Sequence, residues 1–223
     1  MLMIEKFLLR ETARRETYKG LSGCYYLPDT DMAHRLKGME RHLALQDSHA
    51  LPYVVLIRSE FQIVENLEAH QSEFAQLFVG PYSLLAPPYG SVYLEGERRI
   101  MGDSTVDASN RYRDSGLTTS ESFRDPPDHI AAELEFMYFL VFSEIDAIQS
   151  DHTNAGCDYL HRQKLFLQDH LGAWIEDFTC HVEQGTKSDF YRNLAIATRI
   201  YIAEDFEYLS NLRVCQAMTG HHS

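Results

Sequence analysis

Asp128, His129 and Glu133 are the residues of this 223-residue chain whose types and spacing come nearest to metal chemistry. A histidine and a glutamate four positions apart share one face of a helix. With an adjacent aspartate they form a minimal nitrogen-and-oxygen set for a divalent ion and a water bound to it. A helical metal-dependent hydrolase using these three residues is therefore one reading. The other is structural: Asp128 and His129 hold a helix start and the hinge before it through hydrogen bonds, and Glu133 is solvated. A lone His-x-x-x-Glu pair favours the structural reading. His161 and His170 with Cys180, and His34 with His42, supply no spacing that one helix turns into a further ligand set.

Other catalytic patterns are missing. The chain has no Gly-x-Ser-x-Gly nucleophile turn and no Gly-Lys-Ser/Thr phosphate loop. No catalytic residue, metal or cofactor is expected. A different chemistry is better supplied, namely a grip on a peptide that is cationic at one point and apolar beside it. Asp125, Asp128 and Glu133 offer carboxylates for forked guanidinium groups. Tyr82, Tyr89 and Tyr93 offer aromatic surface for an apolar segment.

These tyrosines stand in Leu77-Phe78-Val79-Gly80-Pro81-Tyr82-Ser83-Leu84-Leu85-Ala86-Pro87-Pro88-Tyr89-Gly90-Ser91-Val92-Tyr93. Gly80-Pro81, Pro87-Pro88 and Gly90 exclude a regular helix through that stretch. Aromatic rings on a stiff, water-facing loop point to a docking surface.

The bulk numbers agree. The formal net charge is −13. Such a field repels a phosphate backbone and draws in a cationic peptide, so nucleic acid is not an expected partner. The first nine residues are mildly apolar, but Arg10, Glu11, Arg14, Arg15 and Glu16 follow at once, unlike a signal peptide. No window approaches the roughly twenty apolar residues of a membrane span. A cytoplasmic protein is expected. Cys24, Cys157, Cys180 and Cys215 never form a Cys-x-x-Cys pair and read as four buried thiols.

Helical period runs through nearly everything outside the loop. Tyr18, Leu21 and Tyr25 mark a first helix ended by Pro28, and Thr30-Asp31 caps a second carrying Met32, Leu36, Met39 and Leu43. From Pro52 onward, Val55, Ile63, Leu67, Phe74, Leu77 and Phe78 read as a long helix stopped at Gly80-Pro81, and a short one spans about 105–115, closed by Gly116. Asp125 can cap a further helix with Pro126 in its first position and Asp128 in its first turn. Its buried stripe is Ile130, Leu134, Met137, Val141, Ile145 and Ile148. One helix follows through Tyr159 to Phe178, and a last one from about Ser188 to Leu212. Tyr89 to Tyr93 reads at most as a short extended piece. The fold class is all-α, a single helical domain of two lobes. Residues 1–120 form the first lobe with the loop at about 79–104, and residues 121–223 form the hinge, placed at Ser120–Pro127, and the second lobe.

Four stretches together carry a family resemblance: Leu77-Phe78-Val79-Gly80-Pro81, Ala86 to Tyr93, Gly102-Asp103-Ser104-Thr105, and Pro126-Pro127-Asp128-His129. Phe166-Leu167-x-x-His170-Leu171-x-x-Trp174 adds a fifth. The chain resembles the TorD/DmsD group of redox-enzyme maturation chaperones from about residue 15 to 210, and most of all the dimethyl-sulfoxide-reductase chaperone branch. The resemblance implies a non-enzymatic helical chaperone. Its partner would be the twin-arginine leader peptide of a molybdenum-dependent oxidoreductase, held back from export until cofactor insertion is complete. It implies a peptide-binding surface at Phe74, Leu77, Phe78, Tyr82, Pro88, Tyr89, Gly102, Pro126, Asp128 and His129. The family often carries tryptophan where this chain has Tyr82, Tyr89 and Tyr93, and glutamate where it has Asp125. Long helices about a hinge are compatible with a monomer or a domain-swapped dimer.

Overall fold

The computed structural model describes residues 2–63, 67–80, 84–95, 100–117 and 125–212. Its helices are α1 (Leu2–Cys24), α2 (Met32–Leu45), α3 (Leu51–Ile63), α4 (Leu67–Phe74), α5 (Ser91–Leu94), α6 (Asp103–Asp114), α7 (Ile130–Gln149), α8 (Thr153–Asp169), α9 (Leu171–Gly185) and α10 (Asp189–Asn211). Among the described residues there is no strand, only an isolated antiparallel bridge between Tyr89 and His129. The all-α class follows from the sequence and is what the chain adopts.

The apolar stripes go inward as their spacing requires. Met32, Leu36, Met39 and Leu43 of α2 are buried, and so are Ile130, Leu134, Met137, Val141, Ile145 and Ile148 of α7. Asp31 precedes α2 as expected but makes no side-chain cap bond. Gly116, at φ +82°, closes α6 in the left-handed region that glycine occupies without steric cost. The Val55–Phe78 run is α3 and α4, with 64–66 outside the described residues. It ends in a π-helical turn, Ala75–Val79, where the Gly80 N–H donates to the Ala75 carbonyl at 2.6 Å.

Of the short extended piece expected at Tyr89–Tyr93 only Tyr89 forms a bridge, and Ser91–Leu94 fold as the helix α5; three further local expectations need correction. First, α7 begins at Ile130, with His129 rather than Asp125 as its cap. Proline at 126 suits a first turn, but Pro127-Asp128 form a turn closed by the His129 N–H on the Pro126 carbonyl, and His129 stays extended because it pairs with the loop, a long-range contact that local propensity does not see. Second, the helix expected from Tyr159 to Phe178 is broken at His170 (φ −124°, ψ −104°) into α8 and α9. The chain doubles back tightly there: a Cβ on Gly172 would stand 2.3 Å from the Leu167 carbonyl oxygen, so only glycine fits. Third, the cysteines are not four buried thiols. Cys24 is buried and free and Cys180 half-buried and free, but Cys157 is disulfide-bonded. Wide sequence spacing does not tell which thiols the fold brings together. Cys215 lies outside the described residues, as do residues 120–124 of the expected hinge.

The two halves of the chain share one core. α1 packs on α7, and α3 on α10. Leu77 and Phe78, just before the loop, join Tyr25, Trp174, Phe178 and Tyr191 in the same cluster. A buried ionic knot reinforces this packing. The Arg14 guanidinium of α1 donates through Nε to Asp205 Oδ1 at 2.6 Å, and through Nη2 to Asp205 Oδ2 on α10 and Gln163 Oε1 on α8, both at 2.9 Å. Glu11 pairs with it from the preceding turn, and Glu144 of α7 stands 3.9 Å away. Burial, with Glu11 nearby, holds the Glu144 carboxyl well above the usual carboxylate range in spite of Arg14. No helix of the described residues is long and apolar enough to cross a membrane.

Candidate functional site

The loop and the start of α7 are sewn together by backbone. The Gly90 N–H donates to the Asp128 carbonyl at 2.9 Å, and the Ile130 N–H to the Pro88 carbonyl at 2.8 Å, which makes the Tyr89–His129 bridge. The prolines explain the register. Pro87, Pro88, Pro126 and Pro127 have no N–H to offer, so the carbonyls of Pro88 and Pro126 serve as acceptors and the donors come from the residues that follow.

Asp128 is buried, and its Oδ2 accepts the Ser91 backbone N–H at 2.7 Å. That N–H is one of the unpaired donors at the first turn of α5, so the carboxylate orients the short helix carrying Val92 and Tyr93. The His129 imidazole Nδ1 accepts the Ala131 N–H at 3.1 Å and caps α7. Burial pushes its pKa down to about 4, against the opposing pull of Asp125 and Asp128. A neutral ring with a free Nδ1 lone pair is what a cap requires. Tyr89 lays its ring edgewise on this imidazole, with centroids 5.5 Å apart. Its hydroxyl donates to Asp125 Oδ1 at 3.2 Å, and burial followed by Asp125 pushes its pKa up to about 12.

Pro88, Tyr89, Pro126, Asp128 and His129 are thus brought together. Gly102 caps the neighbouring α6 and lies against Glu95, where a Cβ would meet the carboxylate at 1.5 Å. Glu95 Oε1 in turn accepts the Ser104 N–H at 2.8 Å. Phe74 is half-buried and packs its ring on Phe78 at 5.2 Å, whereas Leu77 and Phe78 are buried beneath the loop. The Leu77 carbonyl takes the Ala86 N–H at 3.0 Å and pins the start of the described loop. Tyr82 lies outside the described residues.

Sequence reasoning misplaced Glu133 and missed Trp174 as a site residue. Glu133 is fully buried, not solvated, and its Oε2 accepts the Trp174 indole N–H at 2.9 Å. Tyr93 faces inward, stacked on the Trp174 ring at 5.6 Å with its hydroxyl on the Pro87 carbonyl. A lone tryptophan four residues beyond a histidine was the available signal.

The geometry also separates the three metal candidates. Asp128 turns to Ser91, His129 to Ala131 and Glu133 to Trp174. Among the described residues no three His, Cys, Asp or Glu side chains are grouped to hold a metal ion. Val79, Leu85, Leu94, Ile100, Met101 and Val106, by contrast, stand exposed along the same stretch of chain, Met101 at 70%. Exposed Asp125 and Asp103 add negative charge beside them.

The fold is all-helical, with exposed apolar side chains along a loop stitched by backbone to the start of α7. The family model described as nitrate reductase delta subunit matches residues 32–180, and the chain belongs to that family. It is 26% identical over 139 residues to the chaperone protein TorD of Vibrio parahaemolyticus, covering 62% of this chain and 63% of the relative. To the Tat proofreading chaperone DmsD of Salmonella typhimurium it is 28% identical over 137 residues, 61% of this chain and 60% of the relative. The chain thus spans somewhat under two thirds of the length of these two relatives. A crystal structure assigned to redox enzyme maturation, from Archaeoglobus fulgidus, superposes with a TM-score of 0.53 and 25% identity over 85% of this chain and 93% of the other. The family resemblance carried by the loop and the Pro-Pro-Asp-His turn is borne out, and these relatives bear the names of chaperones.

Proposed function

We propose that this protein is a cytoplasmic chaperone, not an enzyme. It binds the twin-arginine leader of a molybdopterin-containing reductase of the dimethyl-sulfoxide-reductase kind and delays export until the cofactor is in place. The observation that carries this reading is the set of exposed apolar side chains between Val79 and Val106 in the stretch that contains Tyr89, whose hydroxyl reaches Asp125 at 3.2 Å. A leader presents the complementary pair of features, an apolar segment and adjacent guanidinium groups. In this reading Tyr89 and the exposed apolar residues take the apolar segment, and Asp125 takes an arginine. Phe74, Gly102 and Pro126 shape the surface, while Leu77, Phe78, Pro88, Asp128 and His129 support it from below. Tyr82, which lies outside the described residues, is proposed as a further peptide-binding residue from its sequence position.

Titration of the purified protein with a leader peptide tests the proposal. Saturable binding that weakens when both leader arginines become alanine is the expected result. Equal binding of a scrambled peptide with the same charge would reduce the reading to non-specific attraction.

A further inference from the structure

Glu133 stands beneath the loop at the centre of a side-chain chain that runs through the molecule. On one side its Oε2 takes the Trp174 indole N–H at 2.9 Å. On the other its Oε1 faces His170 Nδ1 at 3.7 Å, and His170 Nε2 lies 2.6 Å from Asp107 Oδ2 on α6. His170, flat against Phe166 at 5.0 Å, occupies the break between α8 and α9, so the ring is held by packing as well as by charge. Its pKa is raised: burial opposes the charged form, but Glu133 and Asp107 outweigh it. Burial likewise raises the Glu133 carboxyl, against the opposing pull of His170 and Trp174.

The far end of this chain is the loop backbone. A Cβ on Gly90 would lie 3.0 Å from Trp174 Nε1, so the main chain rests directly on the indole edge that Glu133 holds. Tyr93 stacks on the same indole with an interplanar angle of 16°. Trp174 thus touches the loop at Gly90 and at Tyr93, on either side of the Ser91 N–H that Asp128 accepts. Were the indole to turn, both contacts would be lost together.

We propose that Glu133 is a positioning residue for the binding loop, acting through Trp174 on Gly90 and Tyr93. The proposal rests on the leader-binding reading for its functional meaning, but loop position can be measured without a leader. Trp174 is the single tryptophan of the chain, so its emission reports on this one place.

The test compares Glu133→Ala, Glu133→Gln and Trp174→Phe with the wild type by circular dichroism, Trp174 emission where present, chymotryptic cleavage at Tyr89 and Tyr93, and leader-peptide titration. Removing the acceptor of a buried N–H corresponds to about a tenfold change in an equilibrium, so Glu133→Ala should raise loop cleavage and weaken leader binding by about that factor. Its indole emission should shift while helical content stays at the wild-type level. Glu133→Gln keeps an acceptor and should restore both properties to within about threefold, a rescue that loss of packing alone would not produce. A folded Glu133→Ala protein with wild-type emission and cleavage overturns the proposal. Should that variant not fold, Trp174→Phe decides: an unchanged rate of loop cleavage overturns the proposal equally. If the wild-type protein does not bind leader, the functional reading falls, while emission and cleavage still decide whether Glu133 sets the loop.

Discussion

At Arg14 one guanidinium gathers Glu11, Glu144 and Asp205 from three different helices. Asp128, equally buried, is held by the backbone N–H of Ser91 in a loop. Both places remove carboxylates from water, but they settle the cost differently. The first matches charge with charge and ties α1, α7, α8 and α10 into one body. The second matches charge with a peptide dipole and fastens a loop to a turn. A charged knot between helices cannot open without disturbing the core, whereas a loop stitched by hydrogen bonds can be loosened alone. The difference separates what holds the fold from what presents the surface.

The strongest way to break this contrast is Arg14→Met. It leaves Glu11 and Asp205 buried without their cation, and a loss of about 3–5 kcal/mol in denaturant unfolding is expected. A loss under about 1 kcal/mol would mean that the knot is no more structural than the loop. Asp128→Ala comes next. It strips the acceptor from one buried N–H and should cost about 1–3 kcal/mol of stability, with leader affinity falling further than the melt alone accounts for. Equal losses in both measurements would make Asp128 a fold residue only. Tyr89→Ala should leave the melting temperature near that of the wild type yet weaken leader binding by about 1–3 kcal/mol, as measured by calorimetric titration. An unchanged affinity removes Tyr89 from the surface.

The effects that are small within any one pH unit are in pH dependence, and they carry opposite signs in the two regions. His129 is lowered from 6.5 to about 4, so the unfolded chain takes up a proton before the native one does. Stability contributed at the turn is therefore lost as pH falls from 6.5 towards 4, by about 1 kcal/mol for each pH unit. His129→Asn, which still caps a helix, should flatten that acid limb. Glu144 is raised by burial, so its contribution is present below the usual carboxylate range and lost as pH rises through its elevated value. Glu144→Gln should flatten the loss of stability that begins above the usual carboxylate range. Denaturant melts across pH check both, and acid limbs that coincide for His129→Asn and wild type would contradict the assignment at the turn.

Much of this was legible in the chain. The three- and four-residue spacing of Ile130, Leu134, Met137 and Val141 marks α7 because a buried helical face demands it. Gly80 and Gly116 mark helix ends because both take positive φ. The Pro-Pro-Asp-His turn and the aromatic loop were recognisable as partners, and the Tyr89–His129 bridge joins them. The site was less legible. Tyr93 looks like a surface anchor but stacks inward on Trp174, and Glu133 looks solvated but is buried. In each case the deciding partner lies on α9, some forty to eighty residues away.

Sequence alone therefore determined the helical class, most apolar faces, the interruption after Val79, and the family to which these motifs belong. Those properties follow from local backbone preference and from periodicity. Tertiary structure decided where α7 starts, which tyrosine faces water, and which carboxylates lie inside. A polar side chain can be buried only where another element supplies its hydrogen bonds or its countercharge, and that partner is chosen by the fold rather than by neighbouring residues.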